Sequence, residues 1–228
     1  WINYLLGHGY NGQEAFDIVS RYDASSLALN DAQLACLDRL HDGQQHNFSR
    51  VLEVVTDTRV AALTAGDIDW LLLGLQNGGE LDAALALASA VDSIEIDLNT
   101  MLLRARGLEI PMSRTPLFYY AWYAMNRVNG DGWITNPASN RPDPESGRDL
   151  ASLMGKYGGH GKAINDLEQV GLKARTLDQN RSKMKDDLVA VLGENLAGAY
   201  LFESKKHPDG IRMSYCLRIA PEQISLIM

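Results

Sequence analysis

The sequence predicts a mainly α-helical protein, with an N-terminal helical bundle or helical-hairpin array and a C-terminal domain that ends in a β-hairpin. Apolar residues recur at helical spacing in segments of about 10 to 14 residues. Near the C-terminus, two alternating runs flank a Pro-Asp-Gly turn at 208–210, which is typical of a hairpin. Residues 1–110 carry a net charge of −10, and residues 111–228 a net charge of +2. We therefore expect an acidic all-helical domain over 1–110 and a second domain over 111–228.

The helices of the first region follow one another with short connections. Capping and stop residues, such as Asn30 before one segment and Gly107 after another, set their ends. The predicted helices cover 13–22, 31–40, 49–58, 64–75, 80–91 and 94–106. Short turns favour antiparallel helical hairpins. The use of Ala and Leu resembles tetratricopeptide-like packing, but no steady period of about 34 residues is present, and a plain helical bundle explains the pattern as well.

Composition excludes several classes of protein. Hydrophobic residues make up 46% of the chain and charged residues 22%, which is ordinary for a globular protein. The longest apolar runs, such as Trp70–Leu75, are far shorter than the ~20 residues that cross a bilayer. Cys36 and Cys216 are too few and too distant for a disulfide framework. We expect no membrane partner, no signal peptide, and two reduced thiols in a cytoplasmic protein.

The second region has a different order of elements. Its first helix, 117–128, is rich in aromatic residues, which more often build a core or an interface than a surface for stacking bases. A short strand at 133–135 and an exposed Pro-rich loop at 136–147 follow. The remaining predictions are a helix opened by Ser146 or Gly147, a helix over 162–170 closed by Gly171, a helix over 176–192 ended by Gly193, and hairpin strands at 199–203 and 211–219.

This order, with helices, a short strand and a final hairpin, is the layout of a winged helix. Within it, residues 174–188 resemble the recognition helix of OmpR/PhoB-type winged-helix regulators. The matching residues are Arg175, Thr176, Leu177 and Asp178 at its start, Ser182, Lys183, Met184, Lys185 and Leu188 in its middle, and Tyr215, Leu217 and Ile219 in the second wing strand. The resemblance implies a winged helix-turn-helix domain with a C-terminal β-hairpin over 111–228, and a DNA-binding function.

The resemblance has four departures. Arg181 stands at a position where the family prefers an apolar residue, and Asp186 and Asp187 replace basic residues. The region between the second and third helices is longer than in the family. The strands that open the family's effector domain are not expected here, because residues 1–110 are predicted to be helical.

A helical wheel of the segment 175–192 separates two faces. Leu177, Met184 and Leu188 share an apolar stripe, and polar residues lie opposite. Arg and Gln on such a face can reach base edges in the major groove while Lys contacts phosphate. Lys205, Lys206 and Arg212 on the wing can reach a neighbouring phosphate or the minor groove. The candidate residues for binding double-stranded DNA are Lys173, Arg175, Gln179, Ser182, Lys183, Lys205, Lys206 and Arg212. A solvated helix face is the alternative interpretation.

No motif predicts catalysis, and we expect neither an enzyme nor a cofactor or metal site. The Gly-rich segment Gly158–Lys162 lacks the first glycine and the hydroxyl residue of a phosphate-binding loop. None of the five histidines pairs with a second ligand at helical spacing. The main alternative to DNA binding is a protein–protein scaffold, since helical repeats followed by a winged helix also describe PCI-type assembly subunits. In either case, the N-terminal helices are expected to hold a protein partner or to self-associate.

Overall fold

The chain is mostly helical and divides into two compact units, one within residues 1–89 and the other formed by Ala90–Met228. The computed structural model describes residues 2–7, 9, 11–21, 29–43 and 48–228. The division between the units lies before the expected boundary at 110, because residues 94–110 belong to a sheet of the second unit.

The first unit consists of short helices, as the apolar spacing predicts. They are α1 (Ile2–Gly7), α2 (Gly12–Arg21), α3 (Asp31–Gly43), α4 (Phe48–Thr56), α5 (Ala65–Gln76) and α6 (Leu81–Ser89), with a 3-10 turn at Val60–Ala62. Two of the expected start signals are confirmed. The Asn30 side chain accepts a hydrogen bond from the backbone N–H of Gln33, and Thr64 forms a reciprocal capping box with Asp67. The helix predicted over 13–22 corresponds to α2, and its predicted last residue, Tyr22, lies outside the described residues.

Helices α5 and α6 form a close antiparallel pair. Gly74 faces Ala84, and a Cβ on Gly74 would lie 2.9 Å from the Cα and Cβ of Ala84. Such small residues allow two helix backbones to approach closely. Ile68, Leu71 and Leu85 are buried in this unit. The arrangement agrees with the expected helical hairpins.

The second unit begins with strands, so the predicted helix over 94–106 and the all-helical character of 1–110 are wrong. The strands are β1 (Ile94–Asp97), β2 (Leu102–Ala105) and β3 (Leu108–Ile110). Burial alternates along β1 and β2, which is the period of a half-buried strand. The Asp97 carboxylate accepts hydrogen bonds from Asn99 and Thr100 and so closes the first turn. Arg106 and Gly107, at φ 47° and 83°, make the second turn.

The remaining elements follow the predicted order up to the second hairpin strand, and a further strand after it was not predicted. They are α7 (Arg114–Asn129), β4 (Ile134–Thr135), α8 (Pro144–Lys156), α9 (Gly161–Val170), α10 (Ala174–Ala197), β5 (Phe202–Lys206), β6 (Met213–Leu217) and β7 (Ile224–Ile227), with 3-10 turns at Gly198–Tyr200 and Pro221–Gln223. Helix α10 is broken at Gly193, whose φ of 72° is not helical. The predicted helix end at Gly193 is therefore confirmed. The predicted hairpin is also confirmed, but its first strand begins at Phe202 rather than at 199, because Gly198–Tyr200 form a 3-10 turn. Helix α8 starts earlier than expected, because Asp143 caps it before Ser146.

The second unit contains two β-sheets. One has the strand order β3-β2-β1-β7, with β7 parallel to β1 and the other pairs antiparallel. The other has the order β4-β6-β5, so the short strand β4 pairs with the second strand of the hairpin. The register pairs Ile134 with Tyr215, and Lys206 with Met213.

Helix α7 lies at the centre of the second unit. Its aromatic residues are buried, as expected for a core: Phe118, Tyr119, Tyr120, Trp122 and Tyr123. The Tyr120 hydroxyl donates a hydrogen bond to the backbone oxygen of Tyr200 at 2.8 Å. The ring of Phe202, the first residue of β5, packs edge-on against Tyr120 and Tyr123. This core fixes the base of the hairpin against α7.

Candidate nucleic-acid interface

A tight turn joins α9 to α10. Gly171 ends α9 with φ 88°, Leu172 is buried, and Lys173 is the residue before the first turn of α10. Leu172 and Asp143 exchange two backbone hydrogen bonds of 2.7 and 2.9 Å, which tie the turn to the start of α8. The turn between the two helices is therefore three residues long and is held in place by the start of α8.

Helix α10 buries one stripe and exposes the opposite one. Leu177, Met184 and Leu188 are buried, as the helical wheel predicts. Polar candidates lie on the solvent side of the same helix: Lys173, Arg175, Gln179, Ser182 and Lys183 are all exposed. The structure therefore places four of these predicted residues on α10 and Lys173 directly before it, and all five side chains are exposed.

The side chain of Arg181 is buried, which the sequence did not indicate. Its side chain is 8% exposed, and its guanidinium lies 3.6 Å from the centre of the Tyr215 ring. It donates hydrogen bonds to the Tyr123 hydroxyl at 2.5 Å, to Oδ1 of Asn136 at 3.1 Å, and to Asp178. Arg181 thus stands at the position where the resemblance leads us to expect an apolar residue. Its guanidinium stacks on the Tyr215 ring, and hydrogen bonds compensate the burial of its charge.

The Arg181 contacts join three elements. Tyr123 belongs to α7, Tyr215 to β6, and Asn136 follows β4. Asn136 also donates a hydrogen bond to the Asp178 carboxylate at 3.0 Å. Burial raises the pKa of Tyr123 to about 12, although the nearby Arg181 lowers it. This network holds the N-terminal half of α10 beside the hairpin, with the tyrosine neutral near pH 7.

The two acidic departures have different environments. Asp187 is partly buried, and its carboxylate accepts a hydrogen bond from the backbone of Ser113. Burial raises the pKa of Asp187. Asp186 is exposed on the same side of α10 as Gln179 and Ser182. Asp187 therefore docks α10 against the start of α7, and Asp186 places one negative charge on the candidate interface.

The three wing candidates differ in their contacts. Lys206 is exposed near the end of β5. The ammonium of Lys205 lies 3.9 Å from the centre of the Trp133 ring, a cation–π contact. Arg212 is half-buried and forms an ion pair with Asp209. Lys205 and Arg212 thus have partners within the protein, Trp133 before β4 and Asp209 in the hairpin turn.

Asp209 organises the hairpin turn and was missed by the sequence reasoning. Its Oδ1 accepts hydrogen bonds from the backbone N–H groups of Ile211 and Arg212, each at 3.0 Å. These bonds and the Arg212 guanidinium hold the pKa of Asp209 well below its usual range. The Pro-Asp-Gly sequence at the turn was the available signal, since aspartate side chains commonly bond backbone N–H groups two residues ahead.

The described part of the chain contains neither a metal-binding cluster nor a membrane-spanning helix. Across residues 2–7, 9, 11–21, 29–43 and 48–228, no three His, Cys, Asp or Glu side chains come together as a metal site would require. None of the helices in those ranges combines the length and apolar character needed to cross a membrane. Comparison of the chain with protein-family models, curated proteins and solved structures finds no match.

Proposed function

We propose that the protein is a DNA-binding, transcription-regulator-like protein that reads double-stranded DNA with α10 and holds it with the β5–β6 wing. One observation carries this proposal. Helix α10 follows α9 after a three-residue turn, and it exposes Arg175, Gln179, Ser182 and Lys183 on the side away from its buried stripe. The B-DNA major groove, about 12 Å wide, admits a helix, and these residue types contact base edges and phosphates.

The strand order supports a winged helix. Strand β4 follows α7, pairs with β6, and β6 pairs with β5, so the hairpin is anchored to the short strand before the helix-turn-helix. Strands β1–β3 precede α7. The effector domain of OmpR/PhoB-type regulators also opens with strands, and strands β1–β3 therefore support the resemblance.

The distribution of charge between the two units supports the same proposal. With the boundary at residue 90, residues 1–89 carry four arginines and twelve acidic residues, and residues 90–228 balance seventeen basic with seventeen acidic residues. An acidic surface repels phosphate, whereas a neutral unit with a basic face can bind it. We therefore assign DNA contact to Ala90–Met228, and sensing, self-association or a protein partner to the first unit.

Fluorescence anisotropy of a labelled generic duplex tests the proposal. We expect micromolar or tighter binding at low salt that weakens steeply toward physiological salt, because bound lysines and arginines release counterions. Arg175→Ala and Lys183→Ala should each weaken binding, by about 1–3 kcal/mol for a base contact. Arg218→Ala is the matched control, since Arg218 is exposed and contacts the backbone of Gly198 at the base of the hairpin. Equal affinity of all three variants and the wild type would remove α10 from the interface.

A protein–protein scaffold is the second candidate function, and exposed apolar side chains of the first unit favour it. Leu6, Phe16 and Leu34 are 45%, 56% and 44% exposed on α1, α2 and α3. Exposed large apolar residues are common at protein contacts. Light scattering distinguishes the candidates when it is combined with the DNA titration. A scaffold of this type would associate without any salt-dependent affinity for DNA.

A further inference from the structure

The second unit contains a cavity at the C-terminal end of α7. Its volume is about 440 Å³, within the range of about 300–1,000 Å³ that is usual for small-molecule sites. Residues of α7, of the turn that follows it and of α8 form the walls. Among the described residues that line it, none is a candidate for DNA contact. The lining residues that bear on ligand chemistry are Trp122, Asn126, Asp131, Trp133, Asp149 and Ser152.

Two tryptophans form the aromatic part of the cavity. Trp122 on α7 is 5% exposed, and its ring packs edge-on against Tyr123 with centroids 5.5 Å apart. Trp133 is half-buried directly before β4, and its backbone N–H donates a hydrogen bond to Asp131 Oδ1 at 3.0 Å. Both residues are therefore held in place without a ligand, which lowers the entropy cost of binding one.

The polar groups of the cavity are hydrogen-bond acceptors and negative charges. Asn126 donates from Nδ2 to the backbone oxygen of Trp122 at 2.8 Å, which leaves its Oδ1 as an acceptor. Asp131 and Asp149 add two carboxylates, and Ser152 adds a hydroxyl. Among the described residues of the lining, none is Lys, Arg or His. This uncompensated negative charge favours a positively charged ligand.

The protein itself places an ammonium group on one of the two tryptophans. Lys205 Nζ lies 3.9 Å from the centre of the Trp133 ring, but Lys205 does not line the cavity. Indole rings are the strongest cation–π partners among side chains, and aromatic side chains commonly bind quaternary ammonium ligands. A divalent metal ion fits this lining less well, because the tryptophan rings supply no ligand atom to it.

A neighbouring cavity of about 740 Å³ shares both tryptophans with the first one. Its charged residues are two arginines and two aspartates, so their formal charges cancel: Arg141, Asp143, Asp209 and Arg212. The excess negative charge thus lies on the side of Asp131 and Asp149. A ligand with its cationic end on that side can extend past the tryptophans into the second cavity.

We propose that the cavity beside α7 binds a small organic cation, an alkylammonium or quaternary ammonium compound. Its charged end lies against Trp122 and Trp133. The carboxylates of Asp131 and Asp149 balance its charge. A ligand site of this kind goes beyond the proposed DNA contact and does not depend on it, so the test contains no DNA.

The test uses proton–nitrogen NMR spectra of the full chain, with choline and tetramethylammonium as probes. The indole N–H signals of Trp122 and Trp133, assigned with single Trp→Phe variants, should shift with a Kd of about 1 mM or tighter. The signal of Trp70, which is buried in α5 of the first unit, should stay in place. Dimethylbutanol, the uncharged carbon analogue of choline, should bind at least about tenfold more weakly.

Three variants and one matched control locate the charge. Asp149→Asn should weaken choline binding about threefold, and Trp133→Leu about tenfold. Glu145→Gln is the control, because it neutralises another exposed carboxylate of α8 that lies outside the cavity, and its affinity should equal that of the wild type. Lys205→Ala removes a positive charge next to Trp133 and should strengthen choline binding.

Two results would overturn the cation site. One is the absence of indole shifts with both probes at concentrations well above the expected Kd. The other is equal affinity for choline and dimethylbutanol, or an Asp149→Asn variant that binds choline as the wild type does. Neither result bears on the DNA titration. Choline binding by a chain that shows no salt-dependent affinity for DNA would support the cation site and leave the DNA-binding proposal wrong.

Discussion

Arg181 illustrates how a charged residue can serve a structural role within a helix that is otherwise a candidate for recognition. It lies one residue before Ser182, an exposed member of the candidate interface, yet its guanidinium is buried against Tyr123 and Tyr215. By sequence alone, Arg181 is one more basic residue of the helix that carries the candidate interface. The contacts show instead that the Arg181 guanidinium is hydrogen-bonded and stacked within the protein. Only the exposed Lys and Arg side chains of α10 remain accessible to a ligand.

Arg181→Ala should destabilise the protein by about 2–4 kcal/mol, because it leaves the buried Tyr123 hydroxyl and the Asn136 amide without their partner. Chemical denaturation of the full chain measures this change as a lower midpoint. Arg175→Ala serves as the control: its side chain is exposed, and we expect a change within about 0.5 kcal/mol. A loss of stability in the Arg175 variant that matched the Arg181 variant would contradict these assigned roles.

At the scale of elements, turn chemistry was the most informative part of the sequence. Gly171 and Gly193 ended helices where predicted, and the Pro-Asp-Gly turn located the hairpin. The prediction was wrong for 94–106. The apolar residues of that segment fit a helical period, whereas the true signals were the alternation of Ile94 and Ile96 with acidic residues and the Arg-Gly turn that follows. Short apolar runs are ambiguous in this way, and tertiary pairing with β7 decides the outcome.

The crossing of α8 and α9 yields a prediction at the same scale. A Cβ on Gly147 would lie 2.7 Å from the Gly171 Cα and from the Leu167 oxygen, and both are backbone atoms that cannot easily move. Gly147→Ala should therefore destabilise the second unit by about 1–3 kcal/mol. Gly155→Ala on the same helix meets nothing within 4 Å and should stabilise it by about 0.5–1 kcal/mol.

Thermal unfolding of the two glycine variants measures these effects with opposite signs. Under the proposed function, the Gly147 variant should also weaken DNA binding, because α8 and α9 position the turn before α10, while the Gly155 variant should not. A Gly147→Ala variant as stable as the wild type would show that the two helices can separate without cost.

For the whole molecule, the two units differ in size, charge and architecture. Residues 1–89 contain the whole net charge of −8 and are helical where described, whereas Ala90–Met228 is neutral and combines helices with two sheets. The charge asymmetry was visible in the sequence, but the boundary was displaced by the strands at 94–110. The candidate residues on α10 could be selected from helical spacing, while the structural roles of Arg181 and Asp209 follow only from their side-chain contacts.

Each unit contains one buried cysteine, so thiol labelling can follow their opening separately. Cys36 and Cys216 are both fully buried and free. Burial raises the pKa of Cys36 to about 11 and also raises the pKa of Cys216, so both thiols should react slowly in the native protein. Single-cysteine variants, Cys36→Ala and Cys216→Ala, assign the signal to one unit in each case.

With increasing denaturant, we expect Cys36 to become labelled before Cys216. The first unit is the smaller one, and small units bury a lower fraction of their surface. The second unit also has the aromatic core around α7 and two paired sheets, whose opening requires more apolar surface to be exposed. Mass spectrometry of protein labelled at each denaturant concentration gives the two midpoints. Coincident midpoints would instead indicate that the two units unfold as one cooperative body.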